Sequence, residues 1–350
     1  MDLKYVLRTL SESYGPPAWE EPVVQRILEF MGEVSQGSWR DFMGNLFVKV
    51  SSGRGPRILL VAHMDEVAMI VRHVDDRGFL HISPLGGLDP RVLVGQRVKV
   101  FGDSAVDGCI GIRPPHLLSQ EEVKQSPNLR ELFVDIGASS REEVRTAGIR
   151  VGSYVTFPAY FSEMLGTRVM GKSFDDRVGC AAEIAVARNL SEESDSEVYA
   201  VFTVQEEVGL RGASTLVNQV NPDLTIVLEC TVAADIPHTS PQDYVTSISQ
   251  GAAIRVMDSS MISRKGLLDA VVRVAEESGI PHQLQLMTGG GTDAGRIHTQ
   301  GRGVPTVVLS TPSRYLHSPN LIIDLNDLDS VIRLATEVAS RAPEVLRALG

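Results

Sequence analysis

The residues of this 350-residue chain that could do chemistry are carboxylates and histidines at or just beyond the ends of predicted strands. The clearest case is VFTVQEEVG, an apolar run from Val201 that ends in two adjacent carboxylates, Glu206 and Glu207. Each carboxylate would lose hydration on burial, and each raises the pKa of the other, so the pair needs a cation, a proton or a hydrogen-bond network. We expect a positive partner there and interpret it as a pair of divalent metal ions.

Other candidate residues occupy the same kind of position. His63 and Asp65 close the apolar run ILLVAHMD, and because alternate residues of a strand share a face, their side chains are predicted to point the same way. The remaining candidates are Asp175 and Asp176 before a helical segment, Asp235 after the run LTIVLECTVAA, and His317 in SRYLHSP.

Each of these residues also has an ordinary structural interpretation. A lone His-x-Asp is commonly a hydrogen-bonded histidine, an Asp pair before a helix is commonly an N-cap, and an Asp before Ile-Pro is commonly a turn residue. Taken together, two histidines and three or four carboxylates at strand ends form an inventory suited to two zinc-like ions.

The predicted secondary structure around these side chains alternates between strands and helices. From Gly171 onward, predicted helices begin near Asp176 and span 212–220, 260–277 and 328–342, and predicted strands end at Glu206 and span 224–229 and 304–309. This alternation predicts an α/β fold, a mostly parallel sheet flanked by helices, in which ligands gather at the carboxyl ends of the strands.

The pattern changes in the middle of the chain. Between residues 67 and 163, short β-type runs alternate with glycine-rich turns, and one helical stretch covers 140–146. We therefore predict an inserted small all-β domain at 67–163, and a catalytic α/β domain formed by residues 1–66 and 164–350.

Composition excludes several classes of protein. The formal net charge of −11 predicts neither a nucleic-acid surface nor an anionic-membrane surface, because both need basic patches. No apolar run approaches the length of a membrane span, and the start of the chain lacks a signal-peptide pattern. Cys109, Cys180 and Cys230 show no CxxC spacing, which favours reduced thiols and a cytoplasmic protein.

Six separated motifs resemble, in order and spacing, those of the M42 family of metallo-aminopeptidases. They are HMDEVAMIV, GKSFDDRVG, QEEVGLRGA, AADIP, GGGTDA and RYLHSP. That family includes the TET peptidases, the glutamyl aminopeptidases and proteins once labelled endoglucanase. The resemblance implies a dinuclear-metal exopeptidase fold and an enzyme that removes N-terminal residues from peptides.

The resemblance also assigns metal ligands. It implies that Asp175 bridges two divalent ions, most simply Zn²⁺ or Co²⁺. His63 and Asp235 would complete the protein ligands of one ion, and Glu207 and His317 those of the other. Ligand types alone do not choose between zinc and cobalt.

Two further residues receive roles in the reaction. Glu206 would be the general base that takes a proton from water and gives it to the leaving amine. Asp65 would hydrogen-bond the ring of His63 and fix its tautomer. Glu229 precedes Asp235 where the family more often has Asp, so it is an alternative polar neighbour of the metals. The roles of His116 and of the loop Gly289–Asp293 stay open.

The resemblance further implies self-association. The β insertion would provide subunit contacts in a dimer-built hollow dodecamer that admits peptides. Other functions stay open. One is a deacylase or carboxypeptidase on the same metal scaffold, and another is a glycanase, which would need paired carboxylates and no metal. A third is a non-enzymatic protein, either a metal-stabilised assembly or a peptide-binding protein. The sequence does not indicate which N-terminal residue is preferred.

Overall fold

The structure is a computed structural model that describes residues 1–191 and 194–349. In chain order its strands are β1 (Gly37–Arg40), β2 (Leu46–Ser52), β3 (Arg57–His63), β4 (Ala68–Val74), β5 (Leu80–Leu85), β6 (Arg97–Phe101), β7 (Ala105–Gly111), β8 (Phe133–Asp135), β9 (Tyr154–Thr156), β10 (Phe161–Glu163), β11 (Arg168–Gly171), β12 (Glu197–Thr203), β13 (Leu224–Val232), β14 (Ala252–Met257), β15 (His282–Leu286), β16 (Thr306–Arg314) and β17 (Leu321–Asp324).

Its α-helices are α1 (Leu3–Glu12), α2 (Glu21–Met31), α3 (Pro90–Leu93), α4 (Gln120–Val123), α5 (Arg141–Thr146), α6 (Phe174–Leu190), α7 (Leu216–Val220), α8 (Lys265–Glu277), α9 (Asp293–Ile297), α10 (Leu325–Ser340) and α11 (Ala342–Arg347). Within the described part of the chain, none of the helices has the length and apolar character needed to cross a membrane.

A large sheet forms the main body of the molecule. Its centre is four parallel strands in the order β12, β3, β13, β16, and their apolar runs are buried, as expected where helices cover a sheet on both faces. Strands on either side are antiparallel: β2 pairs with β12, and β17 pairs with β16. The α/β fold is confirmed, but the predicted mostly parallel sheet is a mixed sheet with a parallel centre.

The register of the central strands brings polar residues together. Thr203, the last residue of β12, pairs with His63, the last residue of β3. Because the two strands are parallel, Glu206 and Glu207 follow β12 at the edge of the sheet where His63 ends β3. Strand β13 lies on the other side of β3 and carries Glu229 near its carboxyl end.

Helix α6 packs against β3 and β13 and begins at the acidic pair. It is buried on nearly every side, which small residues such as Ala181 and Ala182 permit. A Cβ at Gly179 would lie 2.5 Å from the carbonyl oxygen of Leu228 and 2.2 Å from the carboxylate of Asp176. Glycine is therefore required for the start of α6 to approach β13 this closely.

The chain between β3 and β10 forms a small closed antiparallel barrel in the order β4, β5, β8, β7, β6, β9. It has its own apolar core, which includes Met69, Leu80, Val98, Val134 and Val155. The predicted small all-β unit is thus confirmed, and its predicted helical stretch is α5; the short helices α3 and α4 were not predicted. The barrel strands run from Ala68 to Thr156, whereas β10, at the end of the predicted 67–163 segment, pairs with β11 in the large sheet.

Candidate active site

A cavity of about 410 Å³ opens at the carboxyl ends of the central parallel strands. One wall collects acidic and histidine side chains from separate elements: His63, Asp175, Glu206, Glu207, Glu229 and His317. Four of the five predicted metal ligands and the predicted general base therefore meet here, although they are far apart in sequence.

Asp175 lies between the two histidines. Its Oδ1 is 3.1 Å from Nε2 of His63, and its Oδ2 is 3.2 Å from Nε2 of His317. Asp175 and Asp176 depart from helical backbone angles at the start of α6, so they face different surroundings. Asp176 instead accepts hydrogen bonds from the backbone N–H groups of His63 and Gly179, at 3.2 and 3.0 Å. Each oxygen of Asp175 is thus placed to serve a different cation.

Asp65 holds the Glu206–Glu207 turn against the end of β3. Its carboxylate accepts hydrogen bonds from the backbone N–H groups of Glu206 at 2.9 Å and Glu207 at 3.1 Å. Nδ1 of His63 lies 3.2 Å from the backbone oxygen of Asp65 and 3.5 Å from its carboxylate. Asp65 therefore contacts His63 as predicted, but its hydrogen-bonding capacity goes mainly to the turn that carries the two glutamates.

Asp235, the fifth predicted ligand, is not in the cavity wall. Its carboxylate is held by Arg314 through two hydrogen bonds of 3.0 and 2.6 Å. Among the residues that the structure describes, it belongs to none of the groups of His, Cys, Asp and Glu side chains compact enough to hold a metal ion. The structure therefore does not bring Asp235 together with the other four predicted ligands, and its carboxylate is instead paired with a guanidinium.

Glu229 occupies the place expected of Asp235. Its Oε1 lies 3.6 Å from Nε2 of His63, and it belongs to two of the compact groups, one with His63 and Glu206 and one with Asp175 and Asp176. The third group is His63, Asp175 and Glu207. A charged residue inside the otherwise buried run LTIVLECTV is the sequence signal that identifies Glu229 as more than an alternative neighbour.

Burial and like charges make the carboxylates costly to ionise. Burial raises the pKa of Glu206 well above its ordinary range; the charge of His63 opposes this, while Glu229 and Glu207 add to it. Burial likewise raises the pKa of Glu207 to about 8, with the charge of His317 opposing and that of Asp175 reinforcing the rise. A carboxyl of this kind needs a proton or a nearby cation.

The histidines respond in the opposite way. Burial by itself lowers the pKa of His317, but its hydrogen bond to Asp175 and the charge of Glu207 outweigh burial and raise the pKa to about 9. The same two histidines lower the pKa of Asp175, against the effect of its burial. Without metal ions, protons on the histidines are therefore the main source of positive charge among these carboxylates.

Divalent cations fit this arrangement of donors. Oε1 of Glu207 is buried and accepts no hydrogen bond from any residue in 1–191 or 194–349. The donor atoms are imidazole nitrogens and carboxylate oxygens, which suit zinc-like ions, and the cavity beside them leaves room for water and substrate, as in catalytic zinc sites.

The other residues that line the cavity are less acidic. They include Arg255, whose Nη1 donates to Asp258 at 2.7 Å, and Met287. Gly290, Gly291 and Thr292 of the loop Gly289–Asp293 also line the cavity. This loop therefore lines the same cavity as the acidic cluster.

Two residues left open by the sequence lie outside the cavity wall. Asp293 is buried and accepts a hydrogen bond of 2.5 Å from the hydroxyl of Thr203. His116 is exposed on the barrel, in the short 3-10 turn Pro115–Leu117.

Comparison with known proteins agrees with the geometry. A sequence model of one family, described as M42 glutamyl aminopeptidase, matches residues 44–334. A TET aminopeptidase from the marine sediment archaeon Thaumarchaeota archaeon SCGC AB-539-E09 is 37% identical, with a TM-score of 0.96 over 99% of both chains. The TET1 peptidase of Pyrococcus horikoshii, which can assemble into a tetrahedron or a large octahedral shell, is 33% identical, with a TM-score of 0.86 over 97% of this chain and 99% of that one. A lysyl aminopeptidase of Pyrococcus furiosus is 31% identical over 94% of each chain.

Proposed function

We propose that this chain, which belongs to the M42 family of aminopeptidases and is a peptide hydrolase, removes residues from the amino termini of peptides with two divalent metal ions held in the acidic cavity. The observation that carries the proposal is the position of Asp175, whose two carboxylate oxygens each face a different histidine at 3.1 and 3.2 Å. A carboxylate in this position is suited to bridging two cations.

The ligands divide into two sets that share Asp175. His63 and Glu229 would complete the first set, and Glu207 and His317 the second. Their mutual distances support this division, since His63 lies 3.6 Å from Glu229 and His317 lies 3.5 Å from Glu207. When bound, the two ions would lower the pKa of a water molecule to about 7 and polarise the scissile carbonyl.

Glu206 is proposed as the general base. It lines the cavity, and its Oε2 lies 3.9 Å from Nε2 of His63, so it borders the ligands. Burial raises its pKa, the direction that suits a carboxylate that must take a proton from water and return it to the leaving amine. Asp65 would keep Glu206 in place through the backbone of the Glu206–Glu207 turn.

Substrates are proposed to be peptides that reach the cavity inside an assembly of identical chains. The assembly reported for Pyrococcus horikoshii TET1 supports this, as do apolar side chains on the surface of the barrel, including Leu117 and Val123. The barrel would then provide subunit contacts. Light scattering should give a mass several times that of one chain, up to a dodecamer, and a monomer would contradict the proposal.

A cytoplasmic location stays a prediction, which cell fractionation would test.

The function is tested by reloading metal-free protein with Zn²⁺, Co²⁺ or Mn²⁺ and measuring hydrolysis of a panel of aminoacyl chromogenic substrates. We expect activity with zinc or cobalt and loss of activity with a chelator. The panel should include glutamyl and lysyl substrates, since both preferences occur among the relatives. Chelator-resistant activity on a glycan, or inertness toward every aminoacyl substrate, would contradict the proposal.

A further inference from the structure

The barrel touches two of the proposed metal ligands through the turn Gly86–Gly87, which follows β5. A Cβ added to Gly87 would lie 3.0 Å from Nδ1 and 3.3 Å from Cε1 of His317. A Cβ added to Gly86 would lie 3.2 Å from Oε2 of Glu207 and 2.9 Å from the side chain of Val67. The turn therefore packs so closely against both side chains that a Cβ at either glycine would force its neighbours to shift.

Gly87 contacts the Nδ1 side of the His317 ring, whereas the carboxylates of Asp175 and Glu207 lie near Nε2. Nε2 of His317 faces Asp175 and Glu207, so a cation among these groups would bind Nε2. The proton of the neutral ring must then reside on Nδ1, which needs an acceptor. The backbone of Gly87 lies on this side of the ring, since a Cβ added there would be 3.0 Å from Nδ1 of His317, and its carbonyl is the acceptor that the inference assigns.

The two histidines differ in how much support they receive within the α/β domain. The side chain of His63 is 3% exposed, ends a central strand and contacts Asp65. The side chain of His317 is 34% exposed and sits in a turn where both it and Tyr315 have left-handed backbone angles. His317 is therefore the ligand whose orientation depends more on a contact from outside its own domain.

We propose that the Gly86–Gly87 turn of the barrel is a positioning element of the metal site, which orients His317 and confines Glu207 so that the second ion binds. The inference rests on the proposed two-metal function. If the turn has this role, the two metal sites differ in what supports them. Binding of the ion held by His63 and Glu229 depends on the α/β domain alone. Binding of the ion held by Glu207 and His317 also depends on the position of the barrel.

The test is the Gly87→Ala variant of the full chain, in which zinc content is measured by elemental analysis and zinc affinity by calorimetry. We expect one ion to bind as in the wild type and the other to bind about 10- to 100-fold more weakly, the usual effect of changing a partner of a ligating histidine. The matched control is Gly32→Ala, where the added Cβ meets only backbone oxygens at 3.5 and 3.8 Å. This control should keep both affinities.

A double-mutant cycle separates positioning from general destabilisation. In a His317→Ala background, Gly87→Ala should cause no further loss of zinc affinity, because both changes act through one ligand. The inference would be overturned if Gly87→Ala weakened the binding of both ions equally or left the binding of both unchanged. A further loss of zinc affinity in the His317→Ala background would also overturn it. A wild-type protein that binds no divalent ion would instead overturn the proposed function and this inference with it.

A measurement on the wild type covers the case in which Gly87→Ala does not fold. Histidine ¹⁵N NMR of the zinc-loaded protein, with the His317 signals identified by their absence in His317→Ala, reports which ring nitrogen carries the proton. We expect the proton on Nδ1, where the Gly87 backbone lies. A proton on Nε2 would overturn the inference.

Discussion

Asp235 and Arg314 are joined by two hydrogen bonds, from Nε to Oδ1 at 3.0 Å and from Nη2 to Oδ2 at 2.6 Å. Arg314 is the last residue of β16 and lies three residues before His317. The pair anchors the beginning of the turn that presents His317, so Asp235 serves the acidic cavity from outside it. Sequence similarity could not separate this role from that of a ligand, because both place an aspartate near the same strand end.

The first prediction distinguishes Glu229, a proposed metal ligand, from Asp235, which anchors the turn that carries His317. Glu229→Gln should weaken zinc binding by more than the ~10- to 100-fold typical of changes outside the ligand set, because it removes a donor carboxylate. Asp235→Asn should weaken it by no more than that range, because the ligands remain and only the turn is loosened. Calorimetric titration of both metal-free variants with zinc measures the difference. A larger loss for Asp235→Asn would restore Asp235 as a ligand.

The second prediction concerns Glu206. Glu206→Gln keeps the shape of the side chain but cannot accept a proton, so kcat should fall by ~100- to 10,000-fold while zinc content stays at the wild-type level. Steady-state kinetics on the best aminoacyl substrate, together with elemental analysis, provide the two readouts. Full activity in the variant would exclude Glu206 as the general base.

The third prediction concerns the turn that carries the two glutamates. In Asp65→Asn, one oxygen acceptor becomes an NH₂ group that faces a backbone N–H of Glu206 or Glu207, and two donors cannot satisfy each other. Activity or metal affinity should fall by roughly 10- to 100-fold. Asp76→Asn is a suitable control, since that carboxylate is 92% exposed on the barrel. Wild-type kinetics and metal affinity in Asp65→Asn would contradict the assignment.

The fourth prediction concerns the pH dependence of metal-free protein. Burial raises the pKa of Glu207 from 4.5 to about 8, so between these values the folded protein retains a proton that the unfolded chain has released. The free energy of unfolding should therefore decrease as pH rises from about 5 to 8. His317, whose pKa is raised from 6.5 to about 9 despite its burial, acts in the same direction from about pH 6.5 upward.

Thermal unfolding of metal-free protein across this range measures the effect. Glu207→Gln, which removes the titrating carboxyl, should show a shallower decrease. Zinc-loaded protein should not show the decrease, because metal binding displaces the proton and strengthens as pH rises. A metal-free protein that becomes more stable from pH 5 to 8 would contradict the prediction.

Much of the architecture follows from local patterns in the sequence. Buried strands such as Ile58–Ala62 and the helix over residues 140–146 are predicted by runs and periodicities a few residues long, and the structure has both. The change to short β-type runs after residue 67 likewise predicts a small all-β unit, and the structure shows that its strands close into a barrel. The antiparallel margins of the large sheet were missed, because strand direction depends on which distant strands pair and not on the composition of either strand.

The order of residues along the chain is enough to show which polar side chains follow the predicted strands and could take part in catalysis. Pairs adjacent along the chain, such as Glu206 and Glu207, could be assigned to one site from spacing alone. The packing of distant elements was needed to see that Glu229 lies near His63 while Asp235 pairs with Arg314, and that Gly87 of the barrel reaches His317. The physical reason is that a ligand set depends on side-chain direction and on competing partners, such as Arg314, and these are set by contacts between elements far apart in the chain.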